Sequence, residues 1–261
     1  MDLGALVDRI GTAGRAALST VYYRAQATNY RYEFVARRKR SGAYRSYDLA
    51  DSHGEDPLLA ALLSRIASDE VVVDVGANTG AYALAVATAE PSARVVAIEP
   101  DPGAVDRLRR NVALNGLGER VTVLPIAAGS ESGETPLYRS SYHQLSSLNR
   151  FNAERWGARV SEVVSVAVEP LDALLATGRI VPPDHLKVDV EGAGYEVLAG
   201  ATTLLEKHRP VVYVEPHAAR PGESDAGGTP AVRMCDLLSN RGYRIRSVGD
   251  GWLCLPRSDG R

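Results

Sequence analysis

Two glycines four positions apart follow a strongly apolar run and form the clearest candidate binding turn in the sequence. The run from 71 to 75 reads VVVDV, and residues 76 to 80 read GANTG before a second apolar segment. Because glycine has no side chain, Gly76 and Gly80 let a ligand approach the backbone at the end of a strand. The turn lacks the third glycine of a dinucleotide fingerprint and the lysine of a phosphate loop. The pattern therefore predicts a ligand without a phosphate chain.

Two acidic residues accompany this turn. Glu99 ends the next apolar run, RVVAIEP, where in folds of this kind an acidic side chain accepts hydrogen bonds from ribose hydroxyls. Asp74 lies inside the first apolar run, and a charged side chain in such a strand must be paired. Glu99, next to a turn without phosphate-binding features, favours a nucleoside as part of the ligand.

A second pair of carboxylates ends two later apolar runs. Asp189 lies near the end of LKVDV and Glu215 near the end of VVYVEP. Oxygen ligands at neighbouring strand ends predict a Mg²⁺ site, although such pairs also occur without metal, as helix caps or as partners of a cofactor amino group. His217 follows two residues after Glu215 and is predicted to contact the acceptor, the alternative being a histidine in a surface loop.

A long connection from 129 to 165 is predicted to be a substrate-facing insertion, because it exceeds the usual linkage between strand and helix. It contains the polar stretch RSSYHQLSSLNRFN. An imidazole has an ordinary pKa of about 6.5, which suits proton abstraction at neutral pH, so His143 is the predicted base. Tyr142 and Gln144 are predicted to bind acceptor hydroxyls. The alternative for His143 is an exposed histidine in a polar loop.

The motifs DVGANTG and IEPD resemble motif I and the acidic post-motif of class I methyltransferases that use S-adenosylmethionine. The segment from 186 to 216, LKVDVEGAGYEVLAGATTLLEKHRPVVYVEP, resembles the signature of the FkbM-type methyltransferases, and the likeness covers roughly residues 55 to 216. One residue departs from the family pattern. Gly194 stands where the family commonly has a glutamate, so any role of that glutamate is not carried over.

The resemblance implies an S-adenosylmethionine-dependent O-methyltransferase. A saccharide is the favoured acceptor, since the insertion is rich in hydroxyl and amide groups. High Arg and Ala usage is typical of a GC-rich bacterium. In that setting the chain resembles an actinobacterial sugar O-methyltransferase, with the methylated mannose polysaccharide pathway as one candidate. Cofactor contacts are expected at Glu55, Asp74, Gly76, Asn78, Gly80, Glu99 and Ala127. For Glu55 the alternative is an ordinary helix start, with Asp56 and Pro57 as cap and first turn.

Two other functions remain open from the residues alone. A NAD-dependent oxidoreductase on a related sheet would share the ribose contact of Glu99, but it would bind its dinucleotide without the usual glycine fingerprint. A cofactor-binding protein that has lost catalysis is suggested only by the missing glutamate at 194. The retained acidic residues at 189, 191 and 215 count against it.

The elements that would position these residues form an alternating pattern. Short apolar, β-branched runs from 71 to 216 alternate with segments of helical period, which predicts an α/β protein with a Rossmann-like class I methyltransferase fold. We expect a mostly parallel, seven-stranded sheet. The runs YRIRSV and WLCLP, separated by GDG, predict a C-terminal antiparallel hairpin. Residues 1 to 55 are predicted to be an N-terminal helical extension, and 56 to 261 the methyltransferase domain.

Composition limits the partners. A net charge of -2 over 261 residues gives no general attraction to nucleic acid or to an anionic membrane, and the basic run from 37 to 40 is followed by no RNA-binding motif. Two cysteines without metal-binding spacing favour a reducing cytoplasm. The apolar start is interrupted by charges, unlike a membrane span. Its helical period allows packing on the core or on a second subunit, so a homodimer is one expectation.

Overall fold

A computed structural model describes residues 12–39, 43–50, 55–141, 145–154, 158–217 and 228–257. In chain order its helices are α1 (Thr12–Tyr32), α2 (Pro57–Leu63), α3 (Ala81–Ala89), α4 (Pro102–Leu114), α5 (Arg150–Ala153), α6 (Leu171–Ala176), α7 (Gly194–Ala199) and α8 (Pro230–Asn240), with a π-helical segment at Leu204–His208. The strands are β1 (Arg37–Arg38), β2 (Arg45–Ser46), β3 (Val71–Val75), β4 (Arg94–Ile98), β5 (Val121–Leu124), β6 (Ala127–Ala128), β7 (Gly133–Ser140), β8 (Val160–Glu169), β9 (His185–Val188), β10 (Val211–Val214), β11 (Tyr243–Val248) and β12 (Gly251–Pro256).

The main sheet of the described residues has seven strands in the order β11-β12-β10-β9-β3-β4-β5. Strands β5, β4, β3, β9 and β10 run parallel, whereas β12 pairs antiparallel with both β10 and β11. The predicted fold class is therefore confirmed, including the C-terminal hairpin. Because the parallel strands share one direction, their carboxyl ends meet at one edge of the sheet, where ligands bind in open α/β sheets.

Helices cover both faces of this sheet, and each face has its own apolar core. Along β3, Val73 and Val75 point into one core, which Leu198 and Leu204 join from the other side. Val72 points into the opposite core, with Leu84 and the other apolar residues of α3. This burial on both faces explains why β3 is almost continuously apolar.

The segment from 194 to 208 differs from the single helix that its sequence suggests. Helix α7 ends at Ala199, and a π-helical segment follows from Leu204. The break occurs where the backbones of Gly200 and Gly129 touch, since a Cβ at Gly200 would lie 1.9 Å from the Gly129 carbonyl oxygen. The side chain of Asp172 then accepts hydrogen bonds from the N–H groups of Thr203 (2.7 Å) and Leu204 (2.9 Å).

The connection from 129 to 165 contains strand structure that its polar sequence conceals. Strand β7 pairs antiparallel with β8 from Gly133 to Ser140, and β6 completes a small three-stranded sheet. The inner side of this sheet is apolar, with Leu137 and Val166 buried. The insertion is thus a packed unit at the carboxyl edge of the main sheet.

The N-terminal segment is helical from Thr12 to Tyr32 and continues into the short β1–β2 hairpin. Asn111 of α4 and the C-cap residue Asn115 tie this hairpin and the residue after it to the sheet domain. Asn111 Oδ1 accepts from the N–H of Tyr47 (3.1 Å), and Asn115 bonds to both backbone groups of Arg45. The predicted apolar residues 3 to 10 lie outside the described residues. None of the described helices is long and apolar enough to cross a bilayer.

Candidate active site

A cavity of about 520 Å³ opens at the carboxyl edge of the main sheet. Four parts of the chain form its walls: the turns after β3 and β4, the loops after β9 and β10, the insertion, and the N-terminal segment. The candidate residues that line it are Gly76, Asn78, Glu99, Ala127, Asp189, Glu215 and His217. The topology therefore brings together residues that are more than 140 positions apart in the sequence.

The glycine turn shapes one wall through its backbone. Gly76 and Gly80 have φ angles of +82° and +96°, and Asn78 has a φ of +48°. A side chain at Gly76 is excluded, because a Cβ there would lie 1.8 Å from the carbonyl oxygen of Asp189. The turn can adopt this path only with glycine at that position. The residues directly after β3 and β9 are therefore in contact at the base of the cavity.

Glu99 is bound to this turn through hydrogen bonds to backbone N–H groups. Its Oε2 accepts from the N–H of Asn78 (2.9 Å), and its Oε1 accepts from the N–H of Asp101 (2.8 Å). Burial raises the pKa of Glu99 to about 7, although the two N–H donors act in the opposite direction. Carboxylate oxygens have further lone pairs, so Glu99 retains capacity to accept hydroxyl hydrogen bonds from a ligand.

Buried oxygen atoms near the turn have no hydrogen-bond partner among the described residues. They are both carboxylate oxygens of Asp74 and Oδ1 of Asn78. Burial raises the pKa of Asp74 against the opposing charge of Lys187, whose Nζ lies 3.3 Å from Asp74 Oδ1. Unsatisfied buried acceptors are rare in folded proteins and need an explanation. Lys187 already provides a positive charge for Asp74. Asn78 lines the cavity, so a ligand that carries an N–H donor would satisfy its Oδ1.

The opposite wall is formed by a cluster of charged side chains. Lys187 Nζ lies 3.1 Å from Asp189 Oδ2, and His217 Nε2 lies 2.9 Å from Asp189 Oδ1. His217 Nδ1 is 3.4 Å from Glu191 Oε2. Lys187 is almost fully buried and also lies over the ring of Tyr82, 4.3 Å from its centroid.

The charges in this cluster set one another's ionisation. Burial works against the charged form of Asp189, but Lys187 and His217 outweigh it and hold the carboxyl pKa well below its usual range. Burial likewise opposes a charged His217, yet the hydrogen bond and the charge of Asp189 raise the histidine pKa. Lys187 keeps its charge because Asp189 and Asp74 raise its pKa despite its burial. The cluster is thus stabilised as ion pairs.

The predicted magnesium site is not supported. No group of three or more His, Cys, Asp or Glu side chains in the described ranges is arranged to hold a metal ion. Asp189 instead contacts the ammonium group of Lys187 and the imidazole of His217. These groups supply the positive charge that a cation would bring, so the residues present do not fit a Mg²⁺ ion held by Asp189 and Glu215.

The N-terminal segment contributes wall residues that the sequence did not suggest: Tyr22, Lys39, Tyr44, Asp48 and Ala50. Asp48 Oδ2 accepts a hydrogen bond from the hydroxyl of Thr79 in the glycine turn (2.9 Å). Lys39 is buried, and its Nζ donates to the carbonyl oxygens of Asp48 and Ala50. A buried lysine in a sequence rich in surface arginines was not recognisable as part of a site.

Several predicted residues stay predictions. Tyr142, His143 and Gln144 lie outside the described residues, although Leu145, Ser146 and Ser147 directly after them line the cavity. Glu55 is exposed and is not among the lining residues. The alternative for this region is confirmed, because Asp56 Oδ1 caps α2 by accepting from the N–H of Leu58 (2.9 Å) and Pro57 begins the helix.

One residue that sequence reasoning passed over has a recognisable signal, and one departure that it noted has a structural explanation. Lys187 is a charge within the apolar run LKVDV, so the rule that singled out Asp74 applies to it equally. Gly194 has a structural counterpart in Met234, because a Cβ at Gly194 would lie 2.9 Å from the Met234 sulfur. Met234 thus fills space next to the position where the related sequences commonly carry glutamate.

Comparison with known proteins agrees with this geometry. Residues 74–245 match the family described as the methyltransferase FkbM domain. The hexuronic acid methyltransferase AglP of Haloferax volcanii is 32% identical over 179 residues, which are 65% of this chain and 65% of that protein. The 2-O-methyltransferase NoeI of Sinorhizobium fredii is 28% identical over 65% of this chain and 71% of its own length.

A solved structure shows the same fold. The crystal structure of a methyltransferase FkbM from Methylobacillus flagellatus superposes with a TM-score of 0.52 at 20% identity, covering 76% of this chain and 48% of that one. The chain therefore spans just under two thirds of the length of AglP and about half of the solved FkbM chain.

Proposed function

The chain belongs to the FkbM methyltransferase family, whose domain matches residues 74–245, and on that premise we propose that it is an S-adenosylmethionine-dependent O-methyltransferase. The observation that carries the proposal is the set of buried acceptors at the glycine turn. Asn78 Oδ1 has no hydrogen-bond partner among the described residues and lies beside the cavity-lining carboxylate of Glu99, while Asp74 in the preceding strand is fully buried and paired with Lys187. An amino group and two ribose hydroxyls are the donors that such a set would accept.

Each side chain has a separate task in this proposal. S-adenosylmethionine, when bound, supplies an electrophilic methyl group on a sulfonium. Glu99 would accept hydrogen bonds from the ribose hydroxyls, while Asp74 and Asn78 would accept from the methionine amino group. Gly76 and Ala127 line the cavity and would contact the cofactor. Gly80 does not line it, and a Cβ there would lie 2.3 Å from Leu108 Cδ1, so its proposed role is limited to the path of the turn.

The proposed base is His143. An alcohol is a poor nucleophile until its proton is removed, and a neutral imidazole nitrogen of His143 would take that proton as the acceptor oxygen is methylated. Leu145, Ser146 and Ser147, which directly follow residues 142–144, line the cavity, and this supports the role. Tyr142, Gln144 and His217 would bind the remaining acceptor hydroxyls. Glu55 is proposed only as a peripheral cofactor contact.

The proposed acceptor is an uncharged saccharide, with a mannoside as the specific candidate. The described lining contains the carboxylates Asp48, Glu99, Asp189, Glu191 and Glu215, against the two lysines Lys39 and Lys187 and the imidazole of His217, whose pKa, against the effect of burial, is raised by Asp189. Such an excess of acidic groups disfavours an anionic acceptor, because like charges repel most strongly in a partly dry cavity. In this respect the chain is expected to differ from its relative AglP, which is described as a hexuronic acid methyltransferase.

The first experiment is calorimetric titration with S-adenosylmethionine, S-adenosylhomocysteine and NAD, each with and without Mg²⁺. Binding of both sulfur compounds, unchanged by Mg²⁺, is the expected result. Binding of NAD in their place would overturn the methyltransferase assignment. A dependence on Mg²⁺ would return Asp189 and Glu215 to the role of metal ligands.

The second experiment is transfer of an isotope-labelled methyl group to neutral mannose oligosaccharides and to matched hexuronic acid oligosaccharides. Transfer to the neutral series is expected. His143→Ala should then lower turnover by about 10²–10⁴-fold while it leaves cofactor affinity unchanged. The matched control is His208→Ala, because His208 is exposed at the end of the π-helical segment and does not line the cavity. Normal turnover in the His143 variant would remove this residue from catalysis.

A further inference from the structure

Asp101 connects the ribose side of the cavity to the insertion. It follows Glu99 by two residues, and its carboxylate is only 3% exposed. Its Oδ1 accepts from the N–H of Gly103 (2.8 Å) and from Nε of Arg139 (3.0 Å). Its Oδ2 accepts from the hydroxyl of Ser146 (2.6 Å). Both carboxylate oxygens are therefore occupied by donors from two separate parts of the chain.

A helix cap explains only one of these contacts. Asp101 is the N-cap of α4, and an N-cap needs one side-chain oxygen for a backbone N–H of the first turn. The contacts with Arg139 and Ser146 add nothing to that cap, since both residues belong to the insertion. Room for the guanidinium comes from Gly103, where a Cβ would lie 2.6 Å from Arg139 Nη2.

The backbone of Asp101 reaches in the other direction, to the candidate ribose acceptor. Its N–H donates to Glu99 Oε1 (2.8 Å), and Glu99 Oε2 is held by the N–H of Asn78 (2.9 Å). A change in the position of the Glu99 carboxylate therefore acts directly on the peptide unit that carries the Asp101 side chain.

The two insertion residues that Asp101 holds stand on either side of the segment 142–144. Arg139 lies in β7, and Ser146 pairs with the end of that strand through a hydrogen bond from the Ser140 N–H to its hydroxyl (3.2 Å). Next to it, Ser147 Oγ donates to the carbonyl oxygen of Glu191 (2.7 Å). The cavity-facing part of the insertion is thus fixed to the loops after β4 and β9.

We propose that Asp101 is a positioning residue, which transmits occupation of the ribose acceptor Glu99 to Arg139 and Ser146 and so positions the described parts of the insertion at the cavity. The inference rests on the proposed function, because it takes the nucleoside of S-adenosylmethionine as the ligand of Glu99. Asp101 itself touches neither reactant. It acts through the guanidinium of Arg139 and the hydroxyl of Ser146.

Hydrogen–deuterium exchange of the full chain, with and without S-adenosylhomocysteine, tests this coupling. In the unmodified protein the ligand should slow exchange in peptides from 133 to 154 by about 5-fold or more, the lower range of a typical coupling between sites. In Ser146→Ala and in Asp101→Asn the ligand should still bind, but this protection should fall below about 2-fold. Asparagine is as good an N-cap as aspartate, so the second variant keeps α4.

The matched control is Glu162→Gln. Glu162 pairs with the other side of the Arg139 guanidinium, is largely exposed, and makes no described contact with Asp101. This variant should keep the full ligand-dependent protection. The decisive quantity is the difference in exchange with and without ligand, because a purely structural role would speed exchange equally in both states.

The outcomes separate the two proposals. No binding of S-adenosylhomocysteine to the unmodified protein would overturn the proposed function and this inference with it. Binding without protection of 133–154, or equal protection in Ser146→Ala, would overturn the coupling alone. Ser146→Ala decides the matter even if Asp101→Asn fails to fold, since the serine lies outside α4.

Discussion

The two walls of the cavity are built by different physical means. On the side of β3 and β4, backbone N–H groups and left-handed residues of the glycine turn fix the carboxylate of Glu99. On the side of β9 and β10, the ion pairs of Lys187, Asp189 and His217 fix one another. The first, the backbone wall, depends on glycine positions that carry no side chain. The second, the charged wall, depends on the pairing of charged side chains. Substitutions should therefore affect the two walls through strain and through unpaired charge, respectively.

The largest expected effect is on the charged wall. Lys187→Met would leave Asp74 and Asp189 buried without their shared cation, and breaking a buried ion pair typically costs about 3–5 kcal/mol. We expect a loss of this size in the free energy of unfolding, measured in urea. As a control, Glu154→Gln removes the exposed Arg150–Glu154 pair and should cost less than about 0.5 kcal/mol. Equal effects of the two substitutions would show that the buried cluster contributes no more than a surface pair.

A smaller but still large effect is expected for the backbone wall. Gly76→Ala places a Cβ 1.8 Å from the Asp189 carbonyl oxygen at a φ of +82°, and a left-handed conformation combined with overpacking costs about 2–4 kcal/mol. Gly116→Ala is the matched control, since its φ is +67° but nothing lies within 4 Å of its Cβ. It should cost only about 1 kcal/mol. If both alanine variants unfold at the same urea concentration, conformational strain alone sets the cost, and the contact beneath the cavity is unimportant.

The next effect is a pH dependence of ligand affinity, which we expect from Glu99 on the backbone wall. Burial raises the pKa of Glu99 to about 7, whereas ribose hydroxyls would donate to its ionised form. Ligand binding therefore favours loss of the proton, and the affinity for S-adenosylhomocysteine should fall about 10-fold from pH 8 to pH 6.

Glu99→Gln provides the comparison for that pH profile. The variant should bind more weakly at pH 8 and lose most of the pH dependence, as calorimetry at several pH values would show. Asp74, whose pKa is also raised by burial, remains in the variant. A profile that is unchanged in Glu99→Gln would assign the titration to Asp74 and contradict the proposed role of Glu99.

The smallest expected effect concerns the support of the glycine turn. Thr79→Val removes the hydroxyl that donates to Asp48, and the affinity for S-adenosylhomocysteine should fall about 5-fold, the size of a typical hydrogen bond of about 1 kcal/mol. Thr79→Ser keeps the hydroxyl and should bind as the unmodified protein does. Identical affinities for the valine and serine variants would limit the N-terminal segment to a structural role.

The same contrast explains what could be predicted from the sequence. The strands and the glycine turn were predictable because they depend on local signals, such as apolar β-branched runs and the absence of side chains in GANTG. Glu99 was predictable from its distance to that turn. These features belong to the backbone wall, where neighbours in sequence are also neighbours in space.

The charged wall and the insertion depend on contacts between distant segments. His217 lies 28 positions from Asp189 in the sequence. No local pattern shows that Lys187 compensates the negative charges of both Asp189 and Asp74. The strand pairing of β7 with β8 was missed because their exposed faces are polar. The magnesium expectation failed for the same reason, since the carboxylates were visible in the sequence but their partners were not.

Asp48 and the other wall residues of the N-terminal segment have a consequence for how such proteins diversify. They lie before residue 74, where the shared family domain begins, yet they form part of the cavity. A segment outside a conserved catalytic framework can vary while the framework keeps its cofactor and its chemistry. We therefore expect that substitutions at the wall residues of this segment other than Asp48, which supports the glycine turn, would change acceptor preference while cofactor binding is retained.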